Sequence, residues 1–374
     1  MTVRILADKH LYKIREMLPS QTDLTLFDPS KGLPDDATDY HALFIRTVNR
    51  INPDTLPEAG NITFIGTATA GYDHVDLNHL ENLGVRFAHS PGCNARAVGE
   101  YVLTGILRWS KLRNHSLDTL HVGIAGCGHT GSAVIKLLSA FNIDYTCYDP
   151  PKAEADPNFN SASEDELLAC DILTLHTPLT HTGSHPTYHL ADSSWLRHPF
   201  GLVINASRGG VLDEAALQEA KRRGTVRDCI LDVWENEPVF SDAIAGLSMI
   251  ATPHIAGYSR EAKTTASRMI AEQFCDHFDL EMPNFKAPIP EENNLPEITG
   301  SPDISDFLWE INQMDLYDSE IRKLIGKPDP VKAEEFSRLR TSIPTRFEYN
   351  TLTSAYKKQG HVVIPGEAEK LIRA

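Results

Sequence analysis

Three side chains in the second half of the chain, Arg208, Glu237 and His254, are of the types needed to take a proton from a hydroxyl while a hydride leaves the same carbon. In a 2-hydroxy acid that departure requires a base, and an imidazole suits the work near neutral pH. A carboxylate beside the imidazole orients the ring and stabilises its protonated form. An arginine offers a planar fork for the substrate carboxylate and a charge to polarise the carbonyl as it forms. Each of the three follows an apolar run that reads as a strand: 202–205 before Ala206-Ser207-Arg208-Gly209-Gly210, 226–231 before Asp232 and Glu237, and 249–251 before Thr252-Pro253-His254-Ile255-Ala256-Gly257-Tyr258. Parallel strands bind ligands in the loops at their carboxyl ends, so the three loops are expected on one rim.

A second stretch supplies the hydride's destination. Residues 120–125 are mostly apolar and run into Gly126-Cys127-Gly128-His129-Thr130-Gly131, a G-x-G-x-x-G that closes a strand and opens a helix. The first glycine permits the turn, the second admits a pyrophosphate, and the third packs the helix on the strand, whose free N–H groups then face the anion. A helix-spaced segment follows (Ala133, Val134, Leu137, Leu138, Phe141), and the next apolar run, 143–148, ends at Asp149. An acidic residue about twenty positions after the glycines accepts from the ribose hydroxyls and repels a 2′-phosphate, which selects NAD over NADP. The cofactor contacts expected are Gly126, Gly128, His129, Thr130, Gly131, Asp149, His176 and Thr177 in the loop after 172–175, Ala206, Ser207, Asp232 and Gly257.

The elements that must position these loops alternate strand and helix. Residues 163–166, Ser-Glu-Asp-Glu, form a capping box, and Asp213 and Gly224 bracket another helix. The first ninety residues carry apolar runs at 3–7, 24–27, 42–45, 62–66 and 85–88 without a glycine fingerprint. They read as an α/β substrate domain, with Arg46-Thr47 and Thr67 in loops at strand ends. Arg46, Thr47, Thr67 and Tyr258 are the substrate-binding candidates. A long helix after Asn94 carries the chain into the fingerprint, and one after Ser259, bearing Ala262, Ala266, Ile270 and Phe274, crosses back. Residues 283–296 are proline-rich, a linker signal. The tail beyond shows helix near Leu308 to Leu324 and a strand at 361–364; Arg46 is the expected main cation for a substrate phosphate, and Arg346, which reads first as a surface arginine, a minor candidate.

With 51 acidic against 35 basic residues among 374, the net charge of −16 argues against nucleic acid or an anionic membrane as a partner, since both need a basic face. Six scattered cysteines without a C-x-x-C pair suggest neither a metal site nor a disulfide framework, which fits a reducing cytoplasm. No apolar run is long enough for a signal or a membrane span.

Together the 126–131 fingerprint, His176-Thr177-Pro178-Leu179-Thr180, 205–210, Leu231-Asp232-Val233-Trp234 with Glu237-Pro238, and Thr252-Pro253-His254 resemble the D-isomer-specific 2-hydroxyacid dehydrogenase family over residues 1 to about 285. The resemblance implies Arg208 as substrate-binding catalytic residue, His254 as acid/base and Glu237 as its partner, with Asp149, Thr177, Asp232 and Gly257 near NAD. It implies a Rossmann-type NAD domain (95–258) inserted in a flavodoxin-like α/β substrate domain (1–94 with 259–284). A small C-terminal α+β domain (285–374) would pair subunits into a homodimer. The segments 66–71 with Asp73-His74-Val75-Asp76, 91–95, and His254 to Tyr258 narrow the likeness to members with a small phosphorylated hydroxy-acid substrate. Arg96 and Gly99 depart from the small or apolar residues expected there. Two rivals stay open: a sibling acting on phosphoglycerate or glyoxylate/hydroxypyruvate, and an NAD-sensing corepressor, against which the intact Arg208, Glu237 and His254 argue.

Overall fold

Short β-branched and aromatic runs separated by helix-length segments form parallel strands, because only a crossover of that length can return the chain to the same sheet edge. The computed structural model describes residues 2–291, 295–298, 302–359 and 364–374. The chain divides into two compact units, 1–94 with 259–288, and 95–258 with 289–374.

In the first unit β1 (Val3–Asp8), β2 (Thr22–Phe27), β3 (Ala42–Ile45), β4 (Phe64–Thr67) and β5 (Arg86–Ala88) make a parallel sheet in the order β2-β1-β3-β4-β5. This is the flavodoxin-like order. Both faces are covered. Ile5, Phe44 and Phe64 pack with Ile270 and Phe274 of the helix Arg260–Phe278, while Leu6, Leu43, Ile45 and Ile65 fill the opposite core. That helix begins where Ser259 accepts the Ala262 amide at 2.8 Å, a cap readable from sequence.

In the second unit β6 (His121–Ala125), β7 (Asp144–Tyr148), β8 (Ile172–Leu175), β9 (Phe200–Asn205), β10 (Val226–Leu231) and β11 (Ile250–Ala251) are all parallel, in the order β11-β10-β9-β8-β6-β7. The chain steps from β6 outward to β7, then continues on the other side of β6 through β8 to β11. The switch point therefore falls beside β6, whose end carries the glycine loop. The helix Ala95–Arg113 is buried along most of its length. Gly99 belongs there for a steric reason: a Cβ would stand 3.1 Å from the Ala133 carbonyl carbon of the helix after β6.

The C-terminal segment differs from the α+β expectation. Its described part is helical, with helices Ile304–Asn312, Met314–Leu324, Asp329–Ser342, Tyr349–Gln359 and Glu369–Arg373. Of the expected strand at 361–364 only Ile364 lies within the described residues, and it is irregular. Nor does the segment stand apart as a third core. Phe307, Leu308, Ile311, Met314, Phe347, Tyr349 and Leu352 share one hydrophobic cluster with Val98, Val102, Ile106 and Val134. A polar knot fastens this packing. The fully buried Glu100 accepts from Arg346 Nη1 at 2.6 Å, from Arg96 Nε at 3.1 Å and from the Tyr349 amide at 2.8 Å. Burial pushes the Glu100 carboxyl above its ordinary value, against the pull of the two guanidinium charges. Arg96, unexpected from sequence, is there to hold Glu100 and the Leu371 carbonyl. Arg346 is no surface residue: it is buried and committed to Glu100 and to the carbonyls of Ala97 and Phe347.

Candidate active site

At the carboxyl end of β6 the glycines answer to different demands. Gly126 has φ +90°, and a Cβ there would lie 2.8 Å from the Thr177 amide nitrogen. A Cβ on Gly131 would lie 2.1 Å from the Gly126 carbonyl oxygen, so helix and strand touch through it. A Cβ on Gly128 would meet nothing within 4 Å. Packing within the described residues does not require glycine at 128, whereas a pyrophosphate laid against this backbone would. His129 and Gly128 are exposed at the start of the helix His129–Ala140, whose N–H groups favour that anion.

Two further observations fit a dinucleotide at this loop. Among the described residues the Thr177 hydroxyl and His176 Nδ1, both buried, have no hydrogen-bond partner. Burial pushes His176 down to about 3, leaving a neutral ring whose Nε2 meets the Thr174 hydroxyl at 2.9 Å. Asp149 ends β7, where one carboxylate oxygen accepts the Cys127 amide at 2.7 Å and the other caps the Lys152 amide at 3.0 Å. The same side chain thus braces the glycine loop and brings a negative charge beside it. Lys152 Nζ donates to the Cys127 carbonyl at 2.7 Å.

The residues expected to handle the proton follow β9, β10 and β11, neighbours in the sheet with Asn205, Leu231 and Ala251 in one register. His254 has φ 58° and donates its amide to the Asp232 carbonyl at 2.7 Å. Its Nδ1 meets Glu237 Oε2 at 2.7 Å, which leaves Nε2 for a substrate. Glu237 Oε1 accepts the Trp234 amide at 2.9 Å, so both its oxygens are oriented. Burial alone would raise the Glu237 carboxyl; the His254 charge and hydrogen bond, the Trp234 amide and the Arg340 charge hold it below its ordinary value. Asp232 is a clamp for this loop: its carboxylate takes the Thr252 hydroxyl at 2.6 Å and the Ile255 and Ala256 amides at 2.7 and 2.8 Å. Burial raises Asp232, opposed by the His254 charge and these bonds. Gly257 and Tyr258 follow directly, with the Tyr258 amide on the Ile255 carbonyl at 2.8 Å.

Arg208 follows Ala206 and Ser207 in a turn built by Asn205, whose carboxamide oxygen accepts the Ser207 hydroxyl at 2.8 Å and whose nitrogen donates to the Arg208 carbonyl at 3.1 Å. Arg208 Nη1 donates to the Ser207 carbonyl at 2.8 Å. The segment carrying Glu237 is tied down on its other side, where His189 lies 3.0 Å from Glu235 and 3.5 Å from Asp213. Sequence reasoning overlooked that trio, the group with metal-ligand composition among the described residues.

The candidates of the first unit have partners of their own. Arg46 Nε donates to the fully buried Asp8 at 2.8 Å, so its charge is already matched. The buried Thr67 hydroxyl lies 2.9 Å from that of Thr69 and 3.0 Å from His74 Nε2. Thr47 is exposed beside Arg46.

Residues 96–256 match the family model described as "D-isomer specific 2-hydroxyacid dehydrogenase, NAD binding domain". An erythronate-4-phosphate dehydrogenase from Bacteroides thetaiotaomicron is 37% identical over 282 residues, 74% of this chain and 81% of that one. One from Shewanella oneidensis is 32% identical over 371 residues, 96% of both chains. The chain belongs to the erythronate-4-phosphate dehydrogenase family, within the D-isomer-specific 2-hydroxyacid dehydrogenases. It is accordingly an NAD-dependent dehydrogenase. Solved structures agree on the fold: NAD+-bound 3-phosphoglycerate dehydrogenase from Entamoeba histolytica has a TM-score of 0.62 at 24% identity, covering 75% of this chain and 96% of its own. A glyoxylate/hydroxypyruvate reductase from Sinorhizobium meliloti gives 0.60 at 23%, covering 74% and 94%. About a quarter of this chain lies outside the share these two structures cover.

Proposed function

We propose that the protein oxidises 4-phospho-D-erythronate to 2-oxo-3-hydroxy-4-phosphobutanoate with NAD, a step of pyridoxal 5′-phosphate synthesis. The observation that carries the chemistry is the 2.7 Å contact of His254 Nδ1 with Glu237, which leaves Nε2 as the base. The substrate is supported by relatives of that name aligned over nearly the whole chain.

The glycine loop, Thr177 and Asp149 would hold NAD, with His129, Thr130, His176, Ala206, Ser207, Asp232 and Gly257 around it. When bound, NAD accepts the hydride from C2. Arg208 grips the substrate carboxylate and polarises the forming carbonyl. His254 Nε2 takes the hydroxyl proton, and the Glu237 charge stabilises the imidazolium so produced. In the reverse direction the same imidazolium returns the proton. Arg46, Thr47, Thr67 and Tyr258 are proposed to contact substrate. We also assign the enzyme to the cytoplasm, which its six unpaired cysteines favour, and to a homodimer joined through the C-terminal segment, which exposes Leu316, Val331 and Ile372.

The test is NADH formation with 4-phospho-D-erythronate against D-erythronate, D-3-phosphoglycerate and D-glycerate, each with wild type and His254→Ala. The expected result is a clear preference for 4-phospho-D-erythronate, with turnover lost on the order of 10²–10⁴-fold in His254→Ala while NAD binding persists. Preference for D-3-phosphoglycerate would move the enzyme to a sibling activity. NAD binding without turnover of any hydroxy acid would favour a sensor.

A further inference from the structure

A substrate phosphate brings a double negative charge to a protein that already carries −16, so its cation must be found among few. Arg46 is matched by Asp8 and Arg346 by Glu100, each with a short ion pair to a fully buried carboxylate. Arg346 lines a small hollow with Tyr258, Asn312 and Tyr317, but its guanidinium is spent on Glu100 and on the carbonyls of Ala97 and Phe347.

Arg340 is different. It lies near the C-terminal end of the helix Asp329–Ser342. Among the described residues no carboxylate stands within ion-pair distance of it, and its Nε is buried with no hydrogen-bond partner. Its guanidinium carbon lies 5.5 Å from the centre of the Tyr258 ring, and it hydrogen-bonds the Tyr258 side chain. Tyr258 follows His254 by four residues in the loop clamped by Asp232. Burial works against the Arg340 charge, yet Tyr258, Glu237 and Asp232 together keep it firmly cationic. All of these groups belong to the second unit.

A guanidinium withdrawn from water with a free N–H and no carboxylate in contact is under-satisfied, and a ligand anion would complete it. The fork geometry suits a phosphate, which accepts two parallel N–H bonds. We propose that Arg340, seated against Tyr258, is the cation that binds the phosphate of the substrate. The C-terminal segment thereby supplies in the same chain a substrate-reading charge that enzymes lacking this segment cannot have. This rests on the substrate reading above.

The experiment compares kcat/KM for 4-phospho-D-erythronate and for D-erythronate in wild type, Arg340→Gln and Arg340→Lys, together with competitive inhibition by inorganic phosphate. The expectation for Arg340→Gln is a loss on the order of 10²-fold on the phosphorylated substrate, carried mainly by KM, and a much smaller loss on D-erythronate, where only the charge beside Glu237 is removed. Phosphate inhibition should weaken in parallel, and Arg340→Lys should recover part of both. Activity on D-erythronate doubles as the check that each variant is folded. Equal losses on the two substrates would overturn the assignment, because a residue acting only through Tyr258 or Glu237 cannot sense the phosphate. A wild type that does not distinguish the two substrates would instead overturn the substrate reading, and Arg340 with it.

Discussion

Replacing Glu237 by glutamine removes one charge and one of two acceptors while keeping the side chain's shape. In the native enzyme Oε1 takes the Trp234 amide at 2.9 Å and Oε2 faces His254 Nδ1 at 2.7 Å. A glutamine has a single acceptor oxygen. If that oxygen stays with His254, the ring keeps its Nδ1–H tautomer and Nε2 remains a base, but the favourable charge is gone. The Glu237 charge faces the imidazolium that forms as the proton is taken, and the His254 charge in turn helps hold the Glu237 carboxyl below its ordinary value. A hydrogen bond between charged groups contributes about 1.5–3 kcal/mol. The pair is partly solvated, at 31% and 23% side-chain exposure, so the lower end applies. Its loss should therefore lower kcat/KM for oxidation on the order of tenfold. If the amide nitrogen turns to His254 instead, Nδ1 must become the acceptor and Nε2 carries the proton, which costs on the order of 10²-fold or more in rate. The assay is initial NADH formation from pH 5 to 10 with native enzyme and Glu237→Gln. A variant that keeps the native kcat/KM would separate Glu237 from the proton transfer.

Asp149→Ser keeps a residue able to cap the Lys152 amide but withdraws the charge, so the ratio of kcat/KM for NAD over NADP should fall; an unchanged ratio would count against the ribose role. Gly128→Ala should leave the melting temperature within a degree or two yet weaken NAD binding, whereas Gly131→Ala, with its methyl 2.1 Å from a carbonyl oxygen, should lower the melting temperature itself; calorimetry with and without NAD reads both. His176 has a folded value near 3, below its unfolded one near 6.5, so the unfolded chain binds the extra proton between them and stability falls as pH drops through that window. Between pH 6.5 and 5 this amounts to about 2 kcal/mol, and denaturant titrations at those two pH values should show a smaller difference in His176→Gln. Truncation after Pro288 would strip the cover from Val98, Val102 and Ile106 and leave Glu100 without Arg346; the expected product is unfolded or aggregated, and a folded monomer in sedimentation would contradict the shared core.

Legibility in the sequence tracked how local each structural cause is. The strand ends were readable because a buried parallel strand is a continuous apolar run that stops where the backbone must turn, and β3, β8 and β10 fall on those runs residue for residue. The same holds for the glycine loop, Ser163, Asp213 and Ser259, whose side chains bond amides three residues on. What the sequence could not show is which partner a charged residue finds across long separations. Arg46 looked free beside a polar loop, but Asp8, thirty-eight positions earlier, ends the adjacent strand and matches it. Arg346 looked like surface, but Glu100, 246 positions earlier, holds it inside. Arg340 carried no pattern at all, being one basic residue among several on a helix of mixed character. Its significance is created by subtraction, since a buried cation matters to a ligand when every neighbouring carboxylate is spoken for: Asp232 by the amides of the His254 loop, and Glu237 by Trp234 and His254. The reaction could therefore be read from motifs that lie within a few residues of one another, while the means of reading the phosphate depended on where the C-terminal helices come to rest.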